Sequence, residues 1–147
     1  MKNKISFLAI LTLSFFVCGC ESLLDAPKVI WGSSVRELEA DRAHADKKTY
    51  FASFNDCYQT ILDLAKIDPS AKLPVAKPYE IFSKDPIRGI IVVMGIKGNI
   101  DTTEVGIFLT ENNDNTLTVE VASSSSSAQE KAAKIVFTEL NKRFKSP

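Results

Sequence analysis

Residues 104–122 read EVGIFLTENNDNTLTVEVA, and their two-residue rhythm decides the fold. Val105, Ile107 and Leu109 alternate with Gly106, Phe108 and Thr110. After NNDN at 112–115, Leu117, Val119 and Val121 alternate with Thr116, Thr118 and Glu120. Successive strand side chains point to opposite faces, so each run sends one apolar row toward a core and a second row away from it. Asn and Asp tolerate the left-handed backbone of tight turns. The stretch therefore predicts an antiparallel hairpin with one buried and one wetter face. Phe108 interrupts the wetter row, an aromatic on the face turned away from the core.

Working back along the chain, IIVVMGI (90–96) predicts a continuously apolar strand and YEIFSK (79–84) another, joined by DPIRG (85–89). SAKLPVAKP (70–78) is a loop. Before it, KTYFASFNDCYQTILDLA (48–65) combines a short β-prone run, TYFAS (49–53), with a helix. Ser53 is placed to cap that helix, with Asp56 in the capping-box position. Phe54, Cys57, Tyr58, Ile61, Leu62 and Ala65 then recur at helical spacing and form one apolar face. Pro69 disfavours helical geometry in its predecessor, so the helix ends near Ile67.

Downstream of the hairpin, SSSSS (123–127) reads as a strand end followed by an N-cap, with Ser127 and Glu130 forming a capping box. Ala133, Val136, Phe137, Leu140 and Phe144 carry the apolar face of the closing helix. The order is β-α-β-β-β-β-α. Two amphipathic helices and a half-buried antiparallel sheet of four to five strands have one economical arrangement, with both helices on the same sheet face. The predicted fold class is α+β, a two-layer sandwich.

The 147 residues suffice for one domain, and 45% hydrophobic content supports a real core. Eighteen basic residues balance eighteen acidic ones, which gives no electrostatic case for a nucleic-acid partner. Three cysteines, an odd number, exclude a fully paired disulfide framework within the chain. Cys57 lies within an apolar helix face and reads as a core residue, since a reactive thiol needs exposure and electropositive neighbours.

The first twenty residues read as something other than fold. Lys2 and Lys4 precede ISFLAILTLSFFV (5–17), a mostly apolar run too short to span a bilayer, which needs about 20 apolar residues. That pattern fits a secretory signal peptide. It ends in VCGC (17–20), where a Cys-x-Cys metal pair lacks nearby ligands to complete four-fold coordination. The segment resembles the lipobox of bacterial lipoproteins. The resemblance implies cleavage between Gly19 and Cys20, loss of Cys18, and acylation of Cys20 as the new first residue. Two or three acyl chains anchor a protein stably where one does not. Glu21 in the second position implies outer-membrane sorting with the domain facing the periplasm.

The expected organisation is a signal peptide at 1–19, a tether at 20–48 with a short helix capped by Ser34, and the α+β domain at 49–147. Trp31 in the tether suits either the membrane interface or a contact with its own domain. His44, the sole histidine, has no partner for catalysis or metal binding and reads as a surface residue. Phe108 and Trp31 form a possible contact patch, unless the tether folds across that face.

No nucleophile elbow, phosphate-binding loop, His-x-x-x-His or Cys-x-x-Cys occurs in the chain. GIKG (95–98) joins two strands, whereas the RNA-binding Gly-x-x-Gly joins two helices. Asp101 and Glu104 in NIDTTE (99–104) read as a solvated loop ahead of a weak cation site.

KTYFASFNDCYQTILDLA, DTTEVGIFLT, TLTVEVASSS and the closing helix together resemble the domain of small uncharacterised bacterial lipoproteins, built from a lipobox, a tether and one α+β domain. Similar lipid-anchored modules occur as accessory subunits of outer-membrane assembly machines. The resemblance implies a non-enzymatic binding or envelope-assembly module, with the membrane and an envelope protein as partners. It implies no cofactor, no metal and no catalytic residue. The alternative is a small-molecule or lipid carrier with a cavity between helices and sheet.

Overall fold

The hairpin's alternation is the backbone of the architecture. In the computed structural model, which describes residues 34–66, 77–100 and 102–147, the two runs become β4 (Val105–Glu111) and β5 (Leu117–Ala122). They pair antiparallel with Ile107 opposite Val121 and Leu109 opposite Val119. The turn between them is closed by local side chains. Asp114 accepts from the backbone N–H and the hydroxyl of Thr116, and Asn115 takes a positive φ of 60°.

Three more strands extend this pair. β1 (Asp46–Tyr50) joins β5; β3 (Ile90–Met94) joins β4, and β2 (Glu80–Asp85) joins β3. Every pairing is antiparallel, and the order across the sheet is β1-β5-β4-β3-β2.

Among the described residues, three helices accompany the sheet. α1 is described over 34–41, α2 is Phe54–Leu64 and α3 is Ser126–Arg143. α2 and α3 share one sheet face. Cys57, Tyr58 and Ile61 from α2 pack with Ala128, Ala132, Val136 and Leu140 from α3 over Ile91, Val93, Ile107, Val119 and Val121. Most of these side chains are wholly removed from solvent. Each fully buried aliphatic contributes about 1.5–3 kcal/mol of transfer free energy. Two tyrosines bridge the layers through their polar ends: the Tyr79 hydroxyl donates to the Ile61 carbonyl at 2.8 Å, and that of Tyr50 to Asn141 Oδ1 at 3.1 Å. The fold is the expected two-layer α+β sandwich, but α1 precedes β1, so the order among the described residues is α-β-α-β-β-β-β-α rather than β-α-β-β-β-β-α.

Three local boundaries differ from expectation. The helix that Ser34 was expected to open and carry through Lys48 gives way to one 3-10 turn, Arg42–His44, and β1 starts at Asp46. Lys47, Lys48 and Thr49 pair with Glu120, Val119 and Thr118, so ladder bonds to β5 override the local helical tendency. The sheet therefore begins inside the stretch expected to be tether, and Glu37–Pro147 forms one compact unit. α3 is capped by Ser125, whose hydroxyl accepts from the Ala128 N–H at 3.3 Å. Starting there, two residues before the expected Ser127, brings Ala128 into the core with no exposure. α2 keeps its expected cap, since Ser53 accepts from the Asp56 N–H at 3.2 Å, but it ends at Leu64, ahead of Ile67. The expected signal peptide, Gly19, Cys20, Trp31, Asp101 and loop residues 70–76 lie outside the described residues.

Gly89 closes the β2–β3 turn with a φ of +67°, and a Cβ there would lie 2.4 Å from the Leu109 carbonyl oxygen. Gly95 has a similar φ of +62°, but a Cβ on it would meet no atom within 4 Å. Alanine at 95 meets only the left-handed strain of about 1 kcal/mol, whereas alanine at 89 must also push β4 aside. Urea denaturation is expected to show Gly89→Ala destabilised by at least about 2 kcal/mol and Gly95→Ala by about half that. Equal losses at the two sites would refute the steric account.

Candidate functional site

The sheet face away from α2 and α3 carries the most concentrated chemistry among the described residues. Glu120 sits on this face of β5, beside Phe108 of β4 with which it pairs in register. Its side chain is only 8% exposed. A carboxylate so buried is costly unless it is paired and hydrogen-bonded. Two cations supply that: Lys47 of β1 lies 2.7 Å from Oε1, and Arg42 of the 3-10 turn donates to Oε2 through Nε at 2.8 Å and again through Nη2. The Arg42 guanidinium also stacks 4.6 Å from the centre of the Phe108 ring, a cation–π contact.

Phe108 faces away from α2 and α3, as the alternation predicts, but it is 2% exposed. Phe108 is therefore not an exposed aromatic, and Trp31 lies outside the described residues. A Cβ on Gly106 would come within 2.7 Å of the Phe108 ring and 3.3 Å of Leu38, so glycine is what lets the ring and Leu38 close over the strand. Leu38 is itself 4% exposed. A second strap, the Glu39–Arg88 ion pair, fastens α1 to the β2–β3 turn. Leu38 and Arg42 thus cover the outer face at Gly106 and Phe108, in line with the expectation that the tether could fold across that face, while Thr110 on the same face stays exposed.

Burial pushes the Glu120 carboxyl upward, but the hydrogen bonds from Lys47 and Arg42 and their charges outweigh it and hold the group below its ordinary value. Both Glu120 carboxylate oxygens are engaged by a cation, and the trio of two cations and one carboxylate keeps one net positive charge. Thr118 and Thr49 extend the same face with a hydroxyl pair at 3.1 Å.

A second feature lies at the opposite sheet edge. An open groove of about 610 Å³ runs between α2 and β2, with Leu62 and Ile81 in its wall and Lys66, Lys77, Lys84 and Glu80 around them. Lys66 is held by Asp63 at 2.6 Å. Lys77 and Lys84 have no ion pair among the described residues. The lining mixes ammonium groups with a little apolar wall, unlike the enclosed apolar cavity a lipid carrier needs.

The remaining candidates take plain positions. Cys57 is fully buried, and burial, reinforced by the Asp56 carboxylate, pushes its thiol up to about 11. His44 is exposed, and its backbone carbonyl accepts from Gln129 Nε2 at 3.0 Å. Among the described residues, no group of three or more His, Cys, Asp or Glu is placed to hold a metal ion. The roles of Arg42 and Lys47 were missed in the sequence because both fell in the expected tether. The signal present was an acidic residue in the middle of an otherwise β-prone strand. No family model matches the chain, and no curated protein or solved structure is significantly similar to it.

Two outcomes follow from this geometry. Because the folded-state value of Glu120 is depressed, its stabilisation is complete above the ordinary carboxylate range, near pH 4.3, and is lost as pH falls through the lower folded value. Glu120→Gln is expected to cost about 1–3 kcal/mol at pH 7, discounted for the half-exposed cations, and to flatten the acid limb of a stability–pH curve. An unchanged acid limb would count against the trio. The Cys57 thiol is expected to resist maleimide labelling at pH 7 in the native chain and to react at the rate of unfolding, as peptide mapping would report. Labelling that proceeds faster than unfolding would contradict its burial.

Proposed function

We propose that the chain is a lipid-anchored bacterial envelope protein, held by acylated Cys20 and acting as a non-enzymatic binding or assembly accessory module. The observation that carries this reading is VCGC at 17–20, closing a basic and then apolar leader whose length fits a signal peptide. Glu21 favours the outer membrane with the domain facing the periplasm.

The organisation of the domain supports the same reading. Covalent geometry limits the chain between Cys20 and Glu37 to a reach of at most about 60 Å when fully extended. A domain on so short a leash works within the layer next to its membrane, where association with another envelope component gains from effective concentration. The sheet's inner face is filled by its own helices and the centre of the outer face is covered by Leu38 and Arg42, so edges, turns and grooves are the surfaces most open to binding. The groove beside β2, with its two ammonium groups free of ion pairs among the described residues, is the surface of this kind that stands out.

Cys20→Ala expressed in a diderm bacterium is the deciding variant. It is expected to leave the membrane fraction, to keep its uncleaved or differently cleaved leader, and to lose the mass of the acyl chains by intact-protein mass spectrometry. A Cys20→Ala protein that stays membrane-bound with the same mature mass as the unmodified sequence would overturn the reading.

A further inference from the structure

β2 is the terminal strand of the sheet, and its one ladder partner is β3. The other side of its backbone carries N–H and C=O groups with no strand against them among the described residues. Open edges of this kind are templates for a further strand, and proteins usually blunt them with lysines, proline or bulges. β2 shows part of that protection: its register shifts between Ile81 and Ser83, and Lys84 lies on it. It also keeps Phe82, which is 47% exposed and does the opposite of blunting.

The lysines around this edge have a bland explanation as gatekeepers against aggregation. Their placement favours another. Lys66 follows α2, Lys77 precedes β2 and Lys84 lies within it, yet all three line one groove with Leu62 and Ile81 in its wall, where they outnumber its single carboxylate, Glu80. A gatekeeper needs only to project from the strand edge. These side chains instead enclose a recess running along it, in a chain whose total charge is balanced. Lys77 and Lys84 reach it without an ion pair among the described residues.

We propose that the β2 edge and its groove receive an extended, acidic segment of a partner protein. The segment would add as a sixth strand, by main-chain hydrogen bonding to β2. Side chains on one face of a strand recur at every second residue, about 6.6–6.8 Å apart. An alternating acidic and apolar segment can thus set its carboxylates against Lys77 and Lys84 on the groove side, while its apolar side chains fall on the opposite face of the added strand. Main-chain pairing provides affinity and the flanking pockets provide selection, as in other strand-addition complexes. The inference rests on the reading of the chain as a binding module, and it names the class of partner.

The test uses the full chain in detergent and a fluorescein-labelled ten-residue peptide alternating glutamate and valine. Saturable binding is expected by fluorescence anisotropy, weakening with added salt and at least about tenfold weaker in Lys77→Glu/Lys84→Glu. Lys77→Ala/Lys84→Ala is expected to fall between, and both variants should keep the parent melting temperature because these side chains are exposed. Hydrogen–deuterium exchange should slow in residues 80–85 when peptide is bound. Equal binding of an alternating lysine and valine peptide, or unchanged affinity in the charge-reversed variant, would overturn the proposal. So would binding that leaves 80–85 unprotected, or protection by free glutamate alone, which would make the groove a small-anion site. Sedimentation showing a dimer that itself protects β2 would assign the edge to a second copy. Cys20→Ala should bind the peptide as the parent does, so failure of the anchor and failure of this site are read separately. An anchored chain that ignores the acidic peptide but cross-links to a partner through another surface would refute the site while keeping the module reading.

Discussion

A buried carboxylate in the middle of a sheet face must be neutralised in place, and at Glu120 that requirement organises the whole outer side of the molecule. Its two cations come from Arg42 and Lys47, on the turn that ends the N-terminal helix and on the first strand. Satisfying Glu120 therefore fixes where the chain enters the sheet. Once Arg42 is in position its guanidinium covers Phe108, and Leu38 packs above Gly106. One ionic constraint thereby converts a segment of weak helical character into the cover of an otherwise wet aromatic face. Such an arrangement is a poor source of net stability compared with a hydrophobic alternative, but it specifies register strongly, because any other pairing leaves the charge unpaired.

The two faces of the sheet consequently depend on different physics. The inner face rests on volume: Ile61, Val119, Val136 and Leu140 have no exposure, and truncating any of them leaves a cavity. The outer face rests on charge geometry and a few apolar contacts. Acid weakens the second while leaving the first intact, and core truncation does the reverse. Loss of the outer trio should thus loosen the N-terminal cover before the sandwich itself opens, a graded response that uniform hydrophobic packing on both faces would not give.

The inner architecture was legible in the sequence because it is written as period. Val105, Ile107 and Leu109, the matching row in β5, and the Cys57–Tyr58–Ile61 stripe of α2 each declare a buried face from their spacing alone. The outer face was not legible, since it depends on a pairing between residues 47 and 120 that no local pattern contains. Asp46–Lys48 looks helical or solvated when read locally, and only its ladder with β5 makes it a strand. Glu120 and Phe108 were placed on the correct side, but their burial follows from residues more than sixty positions away. The groove beside β2 was invisible for a related reason. Its three lysines are ordinary surface residues until α2 and β2 bring them together.

With one face filled by α2 and α3 and the centre of the other covered by Leu38 and Arg42, the two edges of the sheet gain importance, and these are unequal. At the β1 edge, Gln129 of α3 donates to Asp46 and to the His44 carbonyl, and Phe51 forms a backbone bridge with Lys145 just past the strand. Side chains and backbone from the far end of the chain therefore brace both ends of that strand. Among the described residues, β2 has no such bracing along its outer side, and its bulge bends the edge without closing it. Both edge strands keep backbone groups without a strand partner on their outer side among the described residues, but β1 is fastened at its two ends by α3 and the C-terminal residues. That asymmetry arises from topology. α3 packs against β1, β5 and β4, which fastens it to the β1 side of the sheet.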